Sequence, residues 1–439
     1  MVLAPTLTLS AGSGAAIVRP TFSRDFAGEK TLNNGTGPAI TFTRASNATF
    51  FDASGVLQTA SNNEPRFDHD PATGASRGLL IEETRTNLLE RSAEFDNAYW
   101  TKLRSSVTAN STTAPDGTAS ADTLVEDTTT NTHSVYRPIT HSGAASTVTY
   151  SIFAKQKERP RVQFDLIATV GSDSTGVRCT FNLLNGTAGS VLGTQTGTGS
   201  PGTGTASITN VGNGWYRCSL TLVPTAGIAP TTNQIYVSTH NGTGASYTGD
   251  NTSGLYIWGA QLEAGAFATS YMPTASAAAT RSADSAVVTP ISGFYNGTEG
   301  TIYNEFSVPV LDGASIVRGI VTITNSTFSN RLVAGFRGTG AQFFTLVNNN
   351  VEDLNVTGTA GLIVANAVAK SCVAYKSADS ARSLNGTTAV AITSAITIPT
   401  RERLLLGQSG ATVVVNGHIR KVAYYPKRLS NALLQQLTT

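Results

Sequence analysis

At 439 residues the chain is too long for one compact core, so two or three domains are expected. Charged residues make up 13%, against a usual level of roughly 25%, while the hydrophobic fraction of 40% is ordinary, which excludes wholesale disorder. The net charge of +2, with no basic stripe interleaved with aromatics, argues against a nucleic-acid partner.

Residues 1 to about 63 read as extended, irregular chain. Residues 6–9 alternate, 12–20 (GSGAAIVRP) form a flexible joint, and 39–52 read as a strand pair turning at Ser46-Asn47. Asp52 to Gly55 is a turn, and Val56-Leu57 starts another strand. Such a segment buries little by itself and is expected to pack on other chains or a larger body. With Pro5 early and no basic residue before Arg19, the start does not read as a signal peptide. No apolar run reaches the ~20 residues of a membrane helix, so no membrane partner is expected.

Residues 64–102 hold most of the local charge. Beyond them, 91–274 contains alternating runs at 147–154, 162–168, 177–183, 215–223, 234–238 and 254–262, each bounded by Gly, Asn, Pro or Ser. That punctuation predicts a β-sandwich or jelly roll rather than βαβ units. Residues 186–204 read as a long Gly/Thr/Ser loop. The small-residue linker 274–280 is the best domain boundary. A second β unit over 285–439 is expected to have strands at 300–308, 316–324, 331–336, 342–347, 361–367, 371–376, 404–406 and 419–424. Ser430 is placed to cap one short C-terminal helix, with a downstream Gln completing a weak capping box. The fold class is therefore all-β: an extended N-terminal anchoring segment followed by two sandwiches.

Catalytic signatures are weak. Gly74-Ala75-Ser76-Arg77-Gly78 fits a nucleophile elbow in letters, but a turn precedes it and the strand Leu79-Leu80-Ile81 follows, the inverse of what the elbow requires. Pro201 and the lack of a following helix spoil the GxGxxG match at 197–202. Asp68-His69-Asp70 lacks a second ligand cluster, so no metal and no cofactor are expected. Glu82 and Glu83 are adjacent and face opposite sides of a strand. Cys179, Cys218 and Cys372 give an odd count without CxxC, and read as buried free thiols, with Cys179 and Cys218 as possible neighbours. For carbohydrate binding the candidates are the aromatics Trp100, Trp215, Tyr236, Tyr256 and Trp258, whose flat rings can lie against a sugar's C–H face. For Trp215 and Trp258 core packing is the favoured reading, since each sits in an alternating strand.

Three blocks carry a family resemblance. Arg77 to Glu83 (RGLLIEE), Arg85 to Leu89 (RTNLL), Phe95-Asp96-Asn97 and Trp100-Thr101-Lys102 resemble the junction of phage head-spike and tail-fibre structural proteins. Ala114 to Gly117, Ala121 to Leu124, Gly214 to Arg217, Trp258 to Glu263 and Thr269 to Thr274 are similar to a carbohydrate-binding-module jelly roll. Gly300 to Ile302, Ala374 to Lys376, Ser383 to Gly386 and Asn416 to Pro426 look like a concanavalin/laminin-G-like sandwich. The resemblance implies a virion-docking segment and stem over 1–90 and sandwiches over 91–274 and 285–439. It implies a non-catalytic head spike or fibre of a phage virion, a symmetric homo-oligomer (trimer favoured) that holds other virion proteins and binds host-surface polysaccharide. A tail fibre or tailspike, with or without depolymerase activity, and a purely architectural decoration protein are the alternatives. Such jelly rolls often carry a calcium-binding aspartate in the last strand. Here Tyr256 to Gly259 offers no carboxylate before Glu263, so the likeness does not extend to calcium. Arg77, Glu82, Glu83, Arg85, Glu90 and Arg91 are expected to form the ion pairs of a joint between domains or subunits.

Overall fold

The computed structural model describes residues 18–439 except 141–146, 198–199, 225–231, 312, 314 and 399. The strand expected at 6–9 and part of the 197–202 motif lie outside the described residues. Among the described residues the secondary structure is nearly all antiparallel β, which the Thr and Val content favours, with glycines serving the turns.

The sandwich between residues 88 and 278 is one unit. Its six-stranded sheet runs, in spatial order, Thr203–Asn210, Trp215–Val223, Val148–Gln156, Gly254–Ala264, Ala121–Glu126 and Ser105–Thr112. The facing sheet runs Thr187–Ala188, Asp173–Asn182, Arg161–Val170, Thr232–His240, Ser134–Thr140 and Thr101–Leu103, with Leu192–Thr196 also on Asp173–Asn182. Alternate residues such as Tyr150, Ile152, Phe164, Leu166, Leu220 and Ile235 meet between the sheets. Cys179 and Cys218 enter this core from opposite sheets as free thiols, and burial pushes the Cys179 thiol up to about 11. The expected loop at 186–204 is corrected: its described part holds strand segments at Thr187–Ala188 and Leu192–Thr196, the latter pairing with residues 174–178, and the start of Thr203–Asn210.

The other sandwich is discontinuous, which corrects the expected free stem over 1–90. Its larger sheet orders Val390–Ile392, Ser380–Leu384, Ala369–Lys376, Glu299–Ser307, Gly417–Tyr425, Ser76–Ile81 and Phe67–His69. One edge of Gly417–Tyr425 is covered by two N-terminal strands laid end to end. Ser76–Ile81 pairs along 417–419 and Phe22–Asp25 along 421–424. In the facing sheet, Thr41–Thr43 pairs with Ser285–Val288, followed by Arg403–Leu406, Val317–Thr324, Arg331–Arg337, Gln342–Asn348 and Val351–Thr357. Phe22, Phe26, Phe42, Leu79 and Ile81 are buried in the same core as Phe306, Phe336 and Tyr424. Apolar residues between 22 and 81 thus have an intramolecular place to go. Gly78 allows the close approach: its φ is +94°, and a Cβ there would stand 2.4 Å from the Ile419 carbonyl oxygen.

Two smaller expectations change. Residues 41–43 and 48–51 do not pair with each other; Ala48–Phe51 pairs with Leu57–Ala60 across the Asp52–Gly55 turn. No strand forms over 361–367; Val351–Thr357 takes that place, reached through Asn349 and Asn350, both at positive φ.

The C-terminal helix Asn431–Thr438 seats Leu433, Leu434 and Leu437 on Tyr303, Cys372, Ala381 and Tyr425, on the outer side of the larger sheet. Ser430 caps it by accepting from the Leu433 N–H. Because the third helical residue is Leu433, the reciprocal half of a capping box is missing. Ser430→Ala should cost about 1 kcal/mol in urea unfolding, with the slope unchanged.

The chain leaves the discontinuous sandwich through Arg85–Asn87 and returns through Ala279–Arg281, and these two strands pair with each other. The sandwich of 88–278 is therefore an insertion on a two-stranded neck. A buried ionic cluster sits at that neck. Arg66 donates to Glu82 (2.7 Å) and Asp284 (2.5 Å), Arg44 reaches Asp284 (3.1 Å), and Arg281 reaches Glu82 (3.2 Å). Ser270 adds its N–H and hydroxyl to Glu82.

Among the expected joint residues, Glu82 is the centre of this cluster. Its partners are Arg66 and Arg281 rather than the neighbouring arginines. Glu83 pairs with Arg85 (2.6 Å), and its carbonyl accepts from Arg281. Arg77 pairs with Asp70 and Arg91 with Glu94, both at the surface. Glu90 is exposed, its N–H donating to the Tyr99 hydroxyl.

Candidate functional site

The three tryptophans are not ligand platforms. Trp100, Trp215 and Trp258 are 1%, 2% and 3% exposed. Each indole N–H is satisfied inside: Trp100 by the Arg91 carbonyl, Trp215 by the Thr113 carbonyl, Trp258 by the Ser120 hydroxyl. A ring with both faces packed cannot receive a sugar, which corrects that expectation. Trp215 and Trp258 pack with Leu57, Phe153 and Tyr271, with Tyr256 against them, and so join the inserted sandwich to the hairpin at 48–60.

The remaining candidate, Tyr236, lies on the opposite side, on the outer face of the seven-stranded sheet. Strand register places Tyr136, Tyr236, Asp165, Arg178 and Leu192 in one row across that face. The row exists because inward residues (Val135, Val237, Phe164, Val177) alternate with outward ones. Tyr136 and Tyr236 are half-buried and stacked, with centroids 4.9 Å apart and planes 16° apart. Asp165 accepts from Arg178 Nε at 2.5 Å and from Gln163 Nε2 at 3.0 Å. The Tyr236 hydroxyl donates to Gln234 Oε1 at 3.0 Å. Burial, with Tyr136 and Asp165 alongside, raises the Tyr236 pKa above the usual phenol value. Beside the row is a depression of ≈ 220 Å³ lined by Gln163, Arg178, Thr180, Ser190 and Leu192. Leu192 is 58% exposed and offers an apolar edge to it.

This face combines a stacked tyrosine pair with the exposed Arg178 guanidinium, which the buried Asp165 and Gln163 hold in place. That set can hold a polyhydroxylated ligand through ring contacts and bidentate hydrogen bonds. Tyr136, Gln163, Asp165 and Arg178 escaped the sequence reading. Their only signal was their position as outward letters of the alternating runs at 134–140, 161–170 and 173–182. Which strands are neighbours, and in what register, is not written in any one run.

The other sequence motifs are structural. Ser76 begins a strand after the turn at 70–75, as its context implied. Asp68 is engaged by His418 (2.7 Å) and the Phe51 N–H. Among the described residues no group of three or more His, Cys, Asp or Glu side chains is placed to hold a metal ion. No helix among them is long and apolar enough to cross a membrane.

No protein-family model matches the chain, and none of the curated proteins matches it. Solved structures similar to parts of it include the CBM40 of the Ruminococcus gnavus IT-sialidase bound to α2,3-sialyllactose. That likeness has 12% identity, 32% of this chain, 83% of that one and a TM-score of 0.28. The NanB sialidase of Streptococcus pneumoniae matches at 13% identity over 35% of this chain and 26% of its own, TM-score 0.28. A pentraxin from Limulus polyphemus matches at 11% identity over 32% of this chain and 70% of its own, TM-score 0.25. Similarity at this level identifies no ligand for the present chain.

Proposed function

We propose that this protein is a non-catalytic structural component of a phage virion, a head spike or fibre whose inserted sandwich binds polysaccharide on the host surface. The observation that carries the binding reading is the row Tyr136–Tyr236–Asp165–Arg178 on a face of the inserted sandwich turned away from the rest of the chain. The virion reading is supported by the sequence of the neck, Arg77 to Glu83 and Arg85 to Leu89, which resembles phage spike and fibre junctions. A trimeric assembly would present several such faces together and convert modest single-site affinity into avidity.

The purified protein is expected to retain one or more host polysaccharides from a surface-glycan panel. Tyr236→Ala should weaken retention of a monovalent oligosaccharide about tenfold, through loss of the stacked ring, with little change in thermal stability. If no polysaccharide is retained, or if particles lacking the protein adsorb to host cells at the normal rate, the adhesin role fails.

A further inference from the structure

The outer face of the six-stranded sheet does not meet the discontinuous sandwich everywhere. Between them lies a cleft of ≈ 360 Å³, within the range of small-molecule sites. Its floor is that sheet: Thr205, Ser207 and Thr209 on the edge strand, with Ser219 and Thr221 behind them. Phe50, Phe51 and Phe267 are among its walls. Thr205, Ser207, Thr209 and Val310 are exposed, so the mouth opens to solvent.

One charge in the cleft is left over. The arginines of the neck each end on a carboxylate: Arg44 on Asp284, Arg66 on Glu82 and Asp284, Arg281 on Glu82. Arg217, which lines the floor, has no such ion pair. Its Nη2 donates to the Ser151 hydroxyl at 3.0 Å, its guanidinium lies over the Phe153 ring at 5.4 Å, and its Nε is buried with no acceptor. Glu263 and Glu82 act on it from a distance, but their oxygens are taken. Glu263 accepts from Gln261 Nε2 and from the N–H and hydroxyl of Thr269. Glu82 is held by Arg66, Arg281 and Ser270. Desolvation outweighs both carboxylates and lowers the Arg217 pKa from its usual value. A guanidinium that lines a cleft, is largely desolvated and has no ion-pair partner is costly unless something with negative charge completes it.

We propose that this cleft is a second ligand site, distinct from the outer tyrosine face, and that it takes a carboxylate-bearing sugar residue with its carboxylate on Arg217. The serine and threonine hydroxyls of the floor match the ligand's hydroxyls. The phenylalanine walls match its apolar face.

The test is calorimetric titration of the intact protein with D-glucuronate and with D-glucose, which carries a hydroxymethyl group in place of the carboxylate. Glucuronate should bind at least about tenfold more tightly, since a hydrogen-bonded charge pair is what separates the two sugars. Arg217→Gln should bring glucuronate down to the glucose level. Arg217→Lys should keep part of the preference, because it keeps the charge but loses the planar fork. Glucuronate held on the outer face would be a second component that Tyr236→Ala removes and Arg217→Gln leaves in place, which separates the two sites. No measurable glucuronate binding, no preference over glucose in the unmodified protein, or a preference that survives Arg217→Gln in a variant with native near-ultraviolet circular dichroism overturns the proposal. If Arg217→Gln fails to fold, the same comparison of the two sugars in the Tyr236→Ala protein, whose outer face is disabled, decides the matter.

Discussion

A chain from which residues 1–83 are removed is expected to lose the fold of residues 285–439, while residues 88–278 fold normally. The N-terminal strands supply both an edge of Gly417–Tyr425 and part of the core. Phe22, Phe26, Phe42, Leu79 and Ile81 are each at most 7% exposed. At about 1.5–3 kcal/mol per fully buried large apolar side chain, their loss removes on the order of 10 kcal/mol, an upper figure that is comparable to a whole domain's stability. The stripped edge of Gly417–Tyr425 would also expose unpaired backbone groups, an invitation to aggregation. The converse deletion should be tolerated. Asn87 and Ala279 face each other across a β-pair, so a short Gly/Ser turn can replace 88–278 without moving either end. Amide spectra and cooperative urea unfolding of the two shortened chains read the result. Cooperative folding of residues 285–439 alone would show that the N-terminal strands are ornaments on a self-sufficient sandwich.

Glu82→Gln is expected to destabilise the protein by about 3–5 kcal/mol, because it leaves Arg281 without an ion-pair partner in a buried site and halves the charge compensation of Arg66. Glu82 also holds Ser270, the segment by which the inserted sandwich returns toward the neck. Arg281 and Arg66, helped by the Ser270 hydrogen bonds, outweigh the cost of burial and hold the Glu82 carboxyl well below the usual carboxylate range. The sign follows from that depression. A carboxyl with a lower pKa in the folded state contributes its stability above its unfolded value, about 4.3, and loses it as the pH falls toward the folded value. The gap between native and Glu82→Gln unfolding free energies should therefore be full at neutral pH. It should shrink only on acidification below about pH 4. Denaturant unfolding of both proteins across that range measures it. A gap that is small at neutral pH, or independent of pH down to strong acid, would show that the cluster is not what secures the neck.

How far the letters alone reached differs from feature to feature. The strands at 147–154, 162–168, 215–223 and 254–262 were legible because alternation and Gly/Asn/Pro punctuation are local. The charged stretch around Glu82 was legible as a joint for the same reason: many charges in a chain otherwise poor in them. Its pairing was not, since Glu82 reaches residues 16 and about 200 positions away. The tryptophans stayed open between core and ligand site, with core favoured for Trp215 and Trp258, because an exposed ring and a core ring have the same letter. Only the packing of Trp215 and Trp258 against Leu57, Phe153 and Tyr271 tells them apart. Gly361 to Ala367 misled because short apolar runs suit a turn-rich loop as well as a strand.

By itself, the amino-acid sequence determined the all-β class and the C-terminal helix capped by Ser430, both of which rest on composition or on neighbours within a few residues. The tertiary structure decided that strands between residues 22 and 81 complete the last sandwich, that the middle sandwich is an insertion, and that Tyr136, Tyr236, Asp165 and Arg178 form one row. Those facts depend on which strands pair and in what register. Pairing is settled by burying apolar surface and backbone edges from distant parts of the chain together, a choice that no local stretch of residues can make.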